Sequence, residues 1–521
     1  MSTELRYDVK SVAIIGAGPS GIATAKYVIS DNIISLVLLI VLLSSRYLLA
    51  EEAFDKIDIF EQRSNVGGVW NYTPDALVSP TKVPQVDPHQ LVEELHWSSS
   101  GSKYATGLFP RGKVTFTSPM YDALETNIPN FLMQFSDKPF PRDSQLFPGR
   151  KEVAKYLREY AEEVQHLVNF QVQVLDVRPQ KSASREKWAV KTKEMLSQHE
   201  SEAIYDAVIV ANGHFNVPYV PDIEGIARWN EQNPGIISHS RSYRRPNLFK
   251  GKKVVVVGNA ASGSDIGAQI STVCKLPIIF SQRSVSYLSP GAQAFKDEAP
   301  EIVEFLLSAS YSRAVRFADG RIERDIDAIV FCTGYLYSYP FLDSLTPLVI
   351  SDGMRVQHVY RHIFYEDRPT LAFVGLPVKI IPFFVSEAQA AVISRVWSGR
   401  LALPNKEEME GWERSVIMER GAERGFHMLG FPLDVDYLDE LRDWALTAVP
   451  NPALGGKDGR GKLPPRWGEK ERWARERFPA IKKAFAERGE SRHRIRSMEE
   501  LDFDFEACKG ELDAVKRSSR L

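Results

Sequence analysis

The sequence predicts an α/β fold in which one strand–turn–helix unit occurs twice and a charged helical tail follows. Two observations predict it. Val12-Ala-Ile-Ile-Gly16-Ala-Gly18-Pro-Ser-Gly21 and Val254-Val-Val-Val257-Gly258-Asn-Ala260-Ala-Ser-Gly263 each join an apolar run to a glycine turn and a helix-forming continuation. Two further apolar runs, Tyr205–Ala211 and Ile326–Cys332, lead into short turns at Gly213 and Gly334.

With 521 residues the chain can bury a large core divided into two or more domains. Apolar residues make up 44% and charged residues 25%, the balance of a water-soluble globular chain. A formal net charge of −2 gives no broad attraction for nucleic acid or an anionic membrane. Three separated cysteines, Cys274, Cys332 and Cys508, show no C-x-x-C spacing, which argues against a disulfide framework, a zinc site and a dithiol redox pair. A reducing, cytoplasmic setting is expected. No signal-peptide region precedes the strand at Ser11–Ile15.

That first strand enters the turn Gly16-Ala-Gly18-Pro19-Ser20-Gly21 and then a helix through Tyr27. In such a turn one glycine makes the bend, one lets backbone approach a pyrophosphate, and one lets helix and strand pack closely. The helix N-terminus then faces the phosphates. An acidic residue ending the next strand, about 20 residues on, would grip a ribose hydroxyl. The strand Ile57–Phe60 ends in Glu61, yet Glu61 stands 45 positions after Gly16.

The second unit accounts for the excess. Its next strand, Ile278–Phe280, leads to Arg283, 25 positions after Gly258. Removing residues 28–47 from the first unit restores that interval and joins Ala-Lys-Tyr to Leu-Leu-Ala-Glu-Glu, a good helix continuation. The removed segment holds the apolar run Ile33–Leu43, shorter than the roughly 20 residues of a spanning helix, so no membrane contact is expected. Translated intron sequence in the first crossover is the favoured reading, and the spliced transcript tests it. A hydrophobic hairpin or membrane-touching loop is the alternative.

The residues ending the two second strands differ in chemistry. Glu61 suits the ribose hydroxyls of FAD or NAD, whereas Arg283 suits a 2′-phosphate and hence NADP. Ala260 stands where the second turn would carry its middle glycine, and its methyl crowds the pyrophosphate. The expected architecture is two Rossmann-like dinucleotide-binding domains. Residues 1–215 and 332–403 form an FAD domain in two parts, and 216–331 form an inserted NADP domain. Residues 404–521 form a helical extension in which Arg466–Phe478 is amphipathic, its charged face in solvent.

Several linked stretches of Val12–Leu403 resemble the flavin-containing monooxygenases. Glu61-Gln-Arg-Ser-Asn-Val-Gly67-Gly68-Val69-Trp70 is similar to the family's FAD-binding stretch, and Thr126-Asn127-Ile-Pro129 to the segment whose asparagine faces flavin and nicotinamide. Gly235-Ile-Ile-Ser-His239-Ser-Arg-Ser-Tyr243 resembles the diagnostic F-x-G-x-x-x-H-x-x-x-(Y/F) signature, with Asn233 in place of phenylalanine. Phe331-Cys-Thr333-Gly334-Tyr335 looks like the F-A-T-G-Y stretch, and Glu387 and Gln389 resemble residues near the cofactor.

The resemblance implies an FAD- and NADPH-dependent monooxygenase. NADPH would reduce the flavin, and oxygen would add at C4a to give a hydroperoxyflavin shielded from water. A soft amine or sulfide would then take the distal oxygen. Asn127 would be the catalytic side chain. Cofactor contacts would come from Gly16, Gly18, Pro19, Ser20, Gly21, Glu61, Gly68, Val69, Trp70, Thr126, Gly258, Ser262, Gly263, Arg283, Thr333, Gly334, Glu387 and Gln389. His239 would be architectural. No metal ligand set is expected, and a homodimer is left open. Tyr243 leans away from Baeyer–Villiger enzymes, which usually carry tryptophan there, though these and N-hydroxylating enzymes remain alternatives. Thioredoxin-reductase-like enzymes need a paired-cysteine centre, which this chain lacks. A non-catalytic product of a mis-spliced gene is the remaining reading.

Overall fold

The structure, a computed structural model, describes residues 5–28, 53–74, 81–90, 96–97, 114–181, 185–284, 295–307, 311–452, 454 and 459–510. Apart from Val28, the insertion expected at 28–47 lies outside the described residues.

The apolar runs become strands of two mainly parallel sheets. Ser11–Ile15 is buried from Val12 onward and lies parallel to Lys56–Glu61 on one side and Ala207–Val210 on the other. A near-continuous apolar strand of this kind belongs inside a parallel sheet covered on both faces. Val168–Phe170 extends that sheet at one edge, and Leu371–Phe373, Phe364–Tyr365 and Val359–Tyr360 extend it at the other, giving seven strands. The last two join antiparallel, as a hairpin at the sheet edge.

The second sheet has five strands, all parallel, in the order Ile237–His239, Ala328–Phe331, Lys253–Val257, Lys275–Ser281 and Lys296–Ala299. Each sheet therefore puts a glycine-turn strand between its two partners. An antiparallel pairing of Val217–Pro218 with Tyr335–Leu336 clips together the two stretches where the chain passes between the sheets. An antiparallel three-stranded sheet, Val172–Gln180, Lys187–Glu194 and Glu200–Tyr205, precedes the Ala207–Val210 strand.

Helix Pro382–Trp397 is buried at every residue after its first. It packs against helix Pro19–Val28 and against helix Leu433–Leu446 of the C-terminal region. Such a helix has no solvent face, so its polar residues Ser386, Glu387 and Gln389 must find partners inside the protein.

The charged sequence after residue 404 folds as helices Lys406–Arg420, Leu433–Leu446 and Glu469–Glu487. The charged face of the last helix is in water, but the helix is more than a solvated appendage. Ile481 and Phe485 enter the same apolar cluster as Ile14 and Ile59, and Arg475 makes a buried pair with Asp434 at 2.7 Å. The apolar stripe is narrow, and long charged side chains cover its margins, so the core role is faint in composition. Among the described residues no helix is long and apolar enough to cross a membrane.

Candidate active site

The two glycine turns repeat one set of contacts. The Gly16 amide donates to the Phe60 carbonyl at 2.8 Å, and the Gly258 amide donates to the Ser281 carbonyl at 2.9 Å. A Cβ on Gly16 would lie 2.8 Å from the Ala211 oxygen, and one on Gly258 would lie 2.7 Å from the Cys332 oxygen. A Cβ on Gly21 would fall 1.9 Å from the Gly16 oxygen, and one on Gly263 would fall 1.9 Å from the Gly258 oxygen. Each turn is thus pressed between its helix and the end of the neighbouring strand in its own sheet, Ala207–Val210 for the first and Ala328–Phe331 for the second. Only glycine permits that approach.

Around the first turn, Gly18 faces the second glycine segment. A Cβ on Gly68 would come 3.1 Å from the Gly18 Cα, while the Gly67 amide donates to the Ala17 carbonyl at 2.8 Å. Two backbones held this close form a cradle that side chains would fill. The Glu61 carboxylate accepts from the Ala17 amide at 2.9 Å and the Arg63 amide at 2.8 Å. It is therefore fixed beside the turn. Val69 and Trp70 belong to the short helix Gly68–Trp70, and Ser118 Oγ donates to the Val69 carbonyl.

Pro19 and Ser20 open helix Pro19–Val28, and Ser20 Oγ hydrogen-bonds Ser386 Oγ at 3.0 Å. The Gln389 side-chain oxygen accepts from the Gly375 amide at 2.8 Å, and its amide group donates to Tyr437 Oη at 2.9 Å. Glu387 turns the other way. It accepts from the Ser136 amide and hydroxyl, both at 2.8 Å, with Lys462 Nζ 3.7 Å away. Burial raises the Glu387 carboxyl above its ordinary range, against the pull of Lys462.

Segment 118–148 connects the halves. Glu387 ties its Ser136 end to the first sheet's buried helix, and the Tyr121 hydroxyl donates to Asp265 on the second unit's helix Ala261–Ser271. Thr126 donates its amide to Pro148 O at 3.0 Å and its hydroxyl to Ile128 O at 2.8 Å. Its own carbonyl accepts from Lys482 Nζ at 2.8 Å. Burial lowers the Lys482 ammonium, although Glu125 and Asp265 pull the other way. Asn127, next in the chain, is half-buried, and its side chain has no hydrogen-bond partner among the described residues.

Around the second turn, Ser262 is exposed in the first helical turn and Arg283 is 80% exposed, paired with Glu301 at 2.6 Å. Thr333 Oγ1 donates to the Tyr219 carbonyl, and the Gly334 carbonyl accepts from His239 Nε2 at 3.0 Å. His239 Nδ1 accepts from the Arg241 amide at 3.1 Å, so the ring proton sits on Nε2. Burial pushes the His239 imidazole down to about 3, which keeps it neutral and locks that tautomer. Tyr243 donates to Gln269 Oε1 at 3.0 Å and stands edge-on to Tyr121.

Several residues not singled out from the sequence hold this arrangement. Arg244, fully buried, donates to carbonyls of Thr73 and Ser118 on one side and of Arg241 and Tyr243 on the other. Arg424 reaches the Thr333 carbonyl at 2.8 Å and stacks on Tyr219, while its second terminal nitrogen is buried with no partner among the described residues. Neither arginine stands in a recognisable motif, and Lys482 sits in an ordinary charge run.

Comparison with known proteins adds an independent line. The family model "Flavin-binding monooxygenase-like" matches residues 113–294 and 301–454. The curated protein "Flavin-containing monooxygenase FMO GS-OX5" of Arabidopsis thaliana is 31% identical over 456 residues, covering 84% of this chain and 85% of its own. "Flavin-containing monooxygenase FMO GS-OX3" of the same plant is 32% identical over 439 residues, covering 81% of each. Among solved structures, an S-allyl-L-cysteine S-oxygenase from Allium sativum superposes with a TM-score of 0.70 at 28% identity, covering 95% of this chain and 98% of that one.

Proposed function

The chain belongs to the flavin-binding monooxygenase-like family, and on that premise we propose that it oxygenates a soft sulfur or nitrogen nucleophile with O2 and NADPH. The enzyme is an FAD-dependent monooxygenase whose cofactors are FAD and NADPH. One oxygen atom goes to the substrate, and the other leaves as water with two electrons from NADPH and a proton. The observation that carries this reading is the pair of glycine turns joined by segment 118–148.

Both cradles fit a dinucleotide. The first, with Glu61 fixed beside Gly16–Gly21, is assigned FAD, held by residues 1–215 and 332–403. The second, with Arg283 at the end of its strand, is assigned NADPH and falls within 216–331. Bound flavin would supply hydride acceptance and O2 activation, which no side chain here offers. Backbone amides at Gly18–Gly21 and Ser262–Gly263 would face the two pyrophosphates, and the exposed Arg283 would meet a 2′-phosphate.

Asn127 presents an amide with no partner among the described residues, from a loop anchored at Thr126. It is the side chain proposed to donate and accept hydrogen bonds between flavin and nicotinamide. Glu387 and Gln389 act through the backbone: one holds Ser136 and the other holds Gly375. His239, neutral and tautomerically fixed, holds Gly334 at the crossing between the sheets. Segment 118–148 and helix Pro382–Trp397 would exclude water from the reacting face.

Sulfur is favoured over nitrogen because the Allium sativum relative bears the name of an S-oxygenase. The test is turnover of purified protein with NADPH and O2 on a thioether, a tertiary arylamine and a cyclic ketone. Sulfoxide as the main product is expected. A lactone from the ketone, or peroxide with no oxygenated product, would overturn the assignment.

A further inference from the structure

Away from the cradles, at the edge of the seven-stranded sheet, three side chains with metal-ligating atoms meet. His358 and Glu366 flank the hairpin Val359–Tyr365, and the Glu366 amide donates to the His358 carbonyl at 2.9 Å. They are therefore cross-strand neighbours, with side chains on one face. Glu413 comes from helix Lys406–Arg420 laid against that hairpin. One donor atom from each of the three lies within 4.8 Å of the others.

Glu413 spends Oε1 on Arg355 at 2.6 Å and on the His358 amide at 2.8 Å. Glu366 has nothing comparable. It is 2% exposed, and both carboxylate oxygens are buried without a hydrogen-bond partner among the described residues. Lys406, whose charge acts on Glu366, is already paired with Asp367 at 2.5 Å. Buried carboxylates are ordinarily paired or bound to a metal, so this second and independent feature points to a missing cation.

We propose that His358, Glu366 and Glu413 bind a first-row divalent cation of the zinc type. One imidazole and two carboxylates form the donor set that such ions take, and the absence of a thiolate or an all-oxygen cage argues against copper(I) and calcium. Two donors each about 2.1 Å from one ion lie at most about 4.2 Å apart. A tetrahedral ion needs them about 3.4 Å apart, and they lie within 4.8 Å of one another, so the widest pair must close by up to about 1.4 Å, within side-chain reach. His358 is half-exposed and gives the ion an entry side. The ion ties the edge hairpin to the first helix of the C-terminal region. It takes no part in oxygen transfer, so the site stands whether or not the substrate assignment does.

The test uses full-length flavin-loaded protein stripped with a chelator, then titrated with Zn2+ by calorimetry and metal analysis. One equivalent is expected. Glu366→Gln should weaken binding more than about 100-fold and His358→Ala at least about 10-fold, with the flavin spectrum unchanged in both. Glu366→Gln keeps the side chain's shape, so its flavin spectrum reports folding independently of the metal. Equal Zn2+ uptake by wild type and Glu366→Gln would overturn the site. So would no uptake by wild type together with a carboxylic-acid carbonyl band that Glu366→Gln removes, since a proton would then hold the two carboxylates together.

Discussion

Replacing one glycine in each cradle separates the two cofactors. In Gly21→Ala the new methyl would lie 1.9 Å from the Gly16 oxygen, and in Gly263→Ala 1.9 Å from the Gly258 oxygen. Ordinary contact is about 3.5 Å, so turn and helix must part by about 1.5 Å. Overpacking of this kind costs about 1–3 kcal/mol. The larger effect falls on binding. A hydrogen bond to a charged group contributes about 1.5–3 kcal/mol, and a shift of 1.5 Å breaks those made by the displaced amides. Losing two amounts to about 3–6 kcal/mol, or roughly 100- to 10,000-fold in affinity. Gly21→Ala should therefore purify with little flavin absorbance. Gly263→Ala should stay yellow yet need far more NADPH to bleach under anaerobic stopped flow. If Gly263→Ala loses flavin while Gly21→Ala keeps it, or if Gly263→Ala is reduced as readily as wild type, the assignment of the cradles is wrong.

Three further expectations use the same geometry. Glu61→Ala leaves the Ala17 and Arg63 amides without their acceptor; at about 1–3 kcal/mol each it should release flavin on dialysis, with Glu61→Gln intermediate. Lys482→Met removes the donor to the Thr126 carbonyl. It should leave flavin content unchanged while raising the peroxide released per NADPH severalfold, and unchanged coupling would show that Asn127 needs no such anchor. His239, pushed down to about 3 by burial, binds fewer protons folded than unfolded. Stability therefore rises with pH across its window and is lost as pH falls below about 6.5, levelling near 3. From pH 6.5 to 4.5 that loss is about 2.3 kcal/mol in urea titrations, and His239→Gln should show a correspondingly shallower fall.

The fold class was legible because its signals are local. Gly16–Gly21 and Gly258–Gly263 carry their turn chemistry within six residues, and the apolar strands beside them can belong only in a covered parallel sheet. Glu61 could be singled out because the second unit supplied a ruler for the first. What holds the site together was not legible. Lys482 lies 356 positions from Thr126, and Arg244 lies 171 from Thr73. Nothing in a charged helix marks which lysine turns inward. His358, Glu366 and Glu413 likewise carry no spacing that sequence reasoning could use, since a hairpin and a separate helix bring them together. The tail's place in the core was hidden for the same reason, its apolar stripe being narrow and framed by charge.

Because Lys482 and Arg492 both reach back to the Glu125–Thr126 loop, the order of synthesis matters. The first sheet's strands through Val210 leave the ribosome early, and domains generally fold as they emerge. The loop beside Asn127 gains its anchor only when residues 482 and 492 have been made. On the proposed assignment, the nascent chain can shape the first cradle before it can finish the surface that guards it. Coupled oxygenation then waits until residues 482 and 492 have been made and docked.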